Sequence, residues 1–168
     1  MRQSVLFRLV LSLLMVPLLM VSGPPLFAAE TGATTDHPAA VILLPSDMPW
    51  RGRPGGNQNA LLLGDTAKPG TFVSIINWVS GSISKPHYHP NARTFVVLKG
   101  HWDFGSGPHY DPAAMKALPE GTVVTVPAGG ILYDGCKQAP CMVEVIGVGQ
   151  DPEYMVDETG ATLPPEKR

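Results

Sequence analysis

Glycine and proline, eighteen of each, cut this chain into runs too short for helices to organise its fold. No segment keeps a helical apolar period beyond two turns, whereas β-branched and aromatic runs recur between turn signals. The pattern predicts strands over residues 60–63, 71–79, 93–99, 101–104, 122–126, 131–133 and 141–148, with an edge strand over 39–44. Residues 51–59, RGRPGGNQN, read as loop, and 112–118, PAAMKAL, as at most one or two helical turns. Beyond Gln150 the chain is polar and proline-containing, which predicts a tail that is frayed or loosely packed. About eight short strands without βαβ alternation imply an all-β antiparallel sandwich or small barrel.

Within that pattern the stretch GSISKPHYHPNARTFVVLKG, residues 81–100, carries the chemistry. His87 and His89 sit two apart at the head of the apolar run 93–99. Side chains two apart on a strand share a face, so both imidazoles are expected to project together. Two such imidazoles are half of a site for a transition metal.

The spacing resembles the first motif of the cupin family: Gly, five residues, His-x-His, three or four residues, Glu, six residues, Gly. Here Gly81, His87, His89, Arg93 and Gly100 occupy those places, with Arg93 at the family's glutamate position. A second stretch, GTVVTVPAGGILYDGC at 121–136, resembles the second motif. Gly121, Pro127 and Gly129 fall in place, but Leu132 stands at the histidine position and Cys136 at the asparagine. The resemblance spans residues 40–150 and implies a double-stranded β-helix, the jelly-roll cupin barrel, with an internal ligand pocket and, as in many relatives, a dimer.

The family's metal site is incomplete on this reading. His87 and His89 are kept, while the glutamate and third histidine are lost, and two imidazoles alone make a weak site. A guanidinium beside a dication is repulsive unless an anion lies between them. A metal such as Fe, Mn, Zn or Ni therefore needs a further ligand, and His101, His109, Tyr133, Asp134 and Cys136 are the candidates by type. The alternative is a barrel with no metal, in which His87 and His89 are hydrogen-bonded pocket residues.

The first 29 residues have the plan of a secretory signal peptide, with Arg2 and Arg8 ahead of an apolar run and small residues at Ala28 and Ala29. Residues 30–38 read as a flexible lead-in, 39–150 as the barrel and 151–168 as the tail. Export to the periplasm or beyond suits Cys136 and Cys141, whose short separation makes a disulfide the first expectation, ahead of free thiols or a ligand role. A formal charge of −2 and a pI near 6.2 give no footprint for nucleic acid. No basic amphipathic helix follows the leader, so no membrane association is expected after its cleavage.

Three functions compete. The first is an exported cupin that binds a small, anionic molecule through Arg93, His87, His89 and Tyr133, inside an apolar wall of Phe95, Val97, Val124 and Val126. The second is a metal-dependent enzyme of the dioxygenase or oxidoreductase type, with His87, His89 and an acquired ligand on the metal, and Tyr133 or His101 as acid–base group. The third is a structural or regulatory dimerisation module, which a filled cavity would favour.

Overall fold

The computed structural model describes residues 37–165. The expected leader and most of the lead-in lie outside those residues. From Val41 onward the chain forms one compact unit. After a 3-10 turn at Pro45–Asp47, twelve strands follow among the described residues. They are β1 (Trp50–Gly52), β2 (Gln58–Leu63), β3 (Gly70–Trp78), β4 (Ser82–Ile83), β5 (His87–Tyr88), β6 (Arg93–Lys99), β7 (His101–Ser106), β8 (Lys116–Pro119), β9 (Val123–Val126), β10 (Leu132–Cys136), β11 (Cys141–Gly149) and β12 (Tyr154–Met155). No α-helix occurs among the described residues, and no helix there is long and apolar enough to cross a membrane.

The strands form two antiparallel sheets, β1-β2-β3-β11-β6-β9 and β12-β5-β10-β7-β8, with β4 added to β10. This is the double-sheet barrel that the resemblance to the cupin family implies. The long strand β11 alternates buried and more exposed residues and joins β3 to β6 in the centre of the first sheet. Its buried Val143 and Val145 meet Val97 and Phe95 of β6. With Phe72, Trp78, Trp102, Val126 and Leu132 these side chains form the core, and Val124 packs against it half-buried.

Gly100 shows why the turns need glycine. Its φ is 78°, and a Cβ there would stand 2.8 Å from the Pro140 carbonyl oxygen. Cys136 and Cys141 are disulfide-bonded, with Cα atoms 6.0 Å apart, and both lie in the core. Closing so short a loop between β10 and β11 restricts the unfolded chain by about 2 kcal/mol.

Four local expectations change. Residues 39–44 form no strand and are largely exposed. The 51–59 stretch contributes β1 and the start of β2. PAAMKAL is a turn followed by β8, because pairing of Trp102 with Leu118 outweighs the helical propensity of Ala, Lys and Leu. The segment after Gln150 is not frayed: Asp151 is buried and β12 pairs with β5, Tyr154 opposite Tyr88 and Met155 opposite His87.

Candidate metal centre and inner cavity

Between β5 and β6 the chain passes from one sheet to the other; His87 opens β5 and His89 lies in the crossing. His87 and His89 are each 5% exposed, with ring centroids 5.3 Å apart and planes at 87°. His87 Nδ1 donates to the Lys85 carbonyl oxygen at 2.7 Å, and His89 Nδ1 donates to the Pro152 carbonyl oxygen at 2.9 Å. A carbonyl only accepts, so Nδ1 carries a proton in both rings, and in the neutral ring Nε2 presents the lone pair. His89 Nε2 is buried and has no hydrogen-bond partner. Fixing Nδ1 by a second residue so that Nε2 is free is how proteins orient metal-ligating histidines.

The third donor comes from beyond the predicted barrel. Residues 150–155 run as a strap past the histidines into β12, and Glu153 on this strap brings a carboxylate oxygen within 4.8 Å of a nitrogen from each ring, these atoms lying within 4.8 Å of one another. Glu153 is exposed and makes no side-chain hydrogen bond among the described residues, so its carboxylate is free to close on an ion. Asp151, two residues earlier, points the other way into the protein. It accepts from Arg93 Nε at 2.7 Å and from Arg93 Nη2, while its other oxygen lies 3.4 Å from His89 Nδ1. Burial pushes the Asp151 carboxyl up, but the adjoining His89 ring and the Arg93 guanidinium outweigh it and hold the group below the ordinary range.

The centre opens onto a cavity of about 260 Å³, lined on its apolar side by Ile76, Trp78, Phe95 and Leu132. Arg51, Gln58 and Asn59 form part of its polar lining. Register explains this: Asn59 lies opposite both Arg51 and Ile76, so the three share the sheet's inner face. The buried indole N–H of Trp78 has no partner.

Asp134 also lines the cavity. Its carboxylate accepts from Ser84 Oγ at 2.7 Å and from Trp102 Nε1 at 3.2 Å. Burial raises its carboxyl above the ordinary range, against those two bonds and the nearby His87. A raised native value means the folded state binds more protons than the unfolded one from about pH 4 upward. Stability of the metal-free protein therefore falls as pH rises through that window, by at most about 1.4 kcal/mol per pH unit for this one proton. Urea unfolding of Asp134→Asn, repeated across pH, is expected to lack that decline.

The candidates named from the sequence part company here. His87, His89 and Arg93 come together. Arg93 is not the free cation expected, because the buried Asp151 neutralises it. Tyr133 does not reach the cavity; its ring packs edge-on against Tyr110, and its hydroxyl lies 3.4 Å from the Asp111 carbonyl oxygen. Leu132 and Asp134 line the cavity, and strand alternation turns the residue between them away. Cys136 is committed to the disulfide, and His101 and His109 are exposed elsewhere. Glu153 and Asp151 were missed. Their one sequence signal is two acidic residues flanking a proline just after the last long strand.

A family model described as the ChrR cupin-like domain matches residues 38–125, which include the histidine pair and Arg93 but not the strap. No curated protein sequence matches the chain. Among solved structures it is similar to the polyketide cyclase RemF from Streptomyces resistomycificus, with 16% identity, a TM-score of 0.55, and 68% of this chain and 82% of that one covered. A cupin-2 domain protein from Rhodospirillum rubrum gives 14%, 0.54, 72% and 82%. An RmlC-like cupin from Shewanella frigidimarina gives 13%, 0.52, 67% and 94%. At these identities the likeness concerns the fold.

Proposed function

The chain belongs to the ChrR cupin-like family, and on that premise we propose that it is an exported cupin that holds one divalent transition metal on His87, His89 and Glu153 and binds a small anionic molecule beside it. Two fixed imidazoles, each with a nitrogen within 4.8 Å of a free carboxylate oxygen, and the orphaned, buried Nε2 of His89 are the observation that carries this reading. Two imidazoles and one carboxylate suit Fe, Mn, Zn, Ni or Co, and the bound ion would supply a Lewis acid with positions left open to a ligand.

The remaining residues set what enters. Arg93 and Asp151 cancel one another, so neither contributes net charge to the cavity. A dication against the single charge of Glu153, with Arg51 in the cavity lining, leaves an excess of positive charge that favours an anion. Ile76, Phe95 and Leu132 offer apolar surface to its body, and the volume falls near the small end of small-molecule sites. The anion preference read from the sequence thus moves from Arg93 to the metal and Arg51. Asp134, whose carboxyl burial pushes above its ordinary range, stands on the same wall.

A binding site is favoured over a module that only dimerises. The cavity is not filled by Leu132, Phe95 and Trp78, and two members of the metal-ligand set, His87 and Glu153, line it. The disulfide supports the oxidising compartment that the leader implies.

Calorimetric titration of metal-loaded protein with a panel of small carboxylic acids tests this. Binding that needs the metal, and weakens in Arg51→Ala, is expected. Equal binding by loaded and metal-free protein would count against it.

A further inference from the structure

Arg93 stands on the inner face of β6, opposite Gly147 of β11 and Val126 of β9. Gly147 makes room for the neighbouring Phe72 ring: a Cβ there would lie 2.7 Å from that ring, but at an ordinary contact distance of 3.5 Å from Arg93 Cγ. The guanidinium places two donors, Nε and Nη2, on one oxygen of Asp151, whose side chain is fully buried. One residue on, the Pro152 carbonyl oxygen receives His89 Nδ1–H, and one further on Glu153 meets the two imidazoles. Pro152 fixes its own φ between the two acids, so the position of Asp151 constrains that of Glu153.

Attachment of the strap does not require this ion pair. Asn91 Nδ2 donates to the carbonyl oxygens of Val148 and Gln150, Asp151 N donates to Thr66 O, and Val156 N donates to Pro86 O. Together with the β12–β5 pairing these hold the segment at both ends. A buried ion pair is costly to desolvate and poor evidence for a purely stabilising role. What it adds is placement.

We propose that Arg93 is a positioning residue of the metal centre: by clamping Asp151 it sets the strap so that the Glu153 carboxylate reaches the ion. The proposal rests on the metal reading above. It assigns this cation, which would repel a metal if it faced one, an indirect role in holding the metal's carboxylate ligand.

The test is a mutant cycle on the metal-free full chain, titrated with Co(II) and followed by affinity and visible absorption. Arg93→Ala is expected to weaken Co(II) binding about 10- to 100-fold, as loss of an outer partner does. In an Arg93→Ala/Glu153→Ala double variant the affinity should match Glu153→Ala alone within about twofold, because the two act as one unit. If Arg93→Ala leaves too little folded protein, Arg93→Met with Asp151→Leu removes the pair without leaving a buried charge and runs the same cycle. Losses that multiply, or an Arg93 variant that binds like wild type, would overturn the proposal while leaving the metal reading intact. Wild-type protein that takes up no Co(II) would sink both.

Discussion

Glu153→Ala is expected to lower divalent-metal affinity by at least about 100-fold, beyond the upper end of what outer-partner changes cost, because it removes one of only three donors. It is also the cleanest site variant available. Glu153 is exposed, makes no side-chain hydrogen bond among the described residues, and follows a backbone anchored elsewhere. Its replacement should therefore change stability by no more than about 0.5 kcal/mol. The histidines lack that advantage: truncating His87 or His89 opens a hole in a buried crossing and strips a donor from the Lys85 or Pro152 carbonyl. Calorimetry with Co(II) or Zn(II), beside urea unfolding of the same preparations, separates the two effects. A Glu153→Ala protein with wild-type affinity would remove the strap from the metal site.

The second large effect is structural. Trp102 has no exposed surface; it stacks on Phe95 at 5.0 Å and against Phe104 at 5.1 Å, and donates to buried Asp134. Truncation to alanine should cost about 3–5 kcal/mol for the cavity. A further roughly 1–3 kcal/mol follows from loss of a donor to a buried acid. Against a total of about 5–15 kcal/mol this leaves the variant marginal. Trp102→Phe keeps the stack and loses only the donor, so urea unfolding should place it between wild type and alanine. An alanine variant within about 1 kcal/mol of wild type, the scale of an ordinary substitution, would mean that the core does not depend on this side chain.

The barrel was legible because its determinants are local. Gly81, Gly100, Gly121 and Gly129 mark turns with φ of 72–80°, and the run Arg93–Lys99 is strand β6 from end to end. The pairing of His87 with His89 was legible for the same reason, since a two-residue spacing needs no tertiary information. Half of the candidate site was not. Asp151 and Glu153 reach the histidines because the chain after β11 folds back and β12 pairs with β5 across more than sixty positions of sequence, and a local reading of Asp-Pro-Glu gives an exposed turn. The same gap misplaced Arg93. Its departure from the cupin pattern could be seen in the sequence, but the buried carboxylate that answers it could not. Tyr133 failed on strand parity, one residue from two that line the cavity.

One measurement bears most directly on the metal centre: elemental analysis of wild-type protein purified without chelating resin, beside the His87→Ala/His89→Ala variant. About one transition metal per chain in the wild type, and none in the variant, is the expected result for a three-donor site. Folded wild-type protein that carries no metal, and takes none up when Co(II) is supplied, would contradict the account.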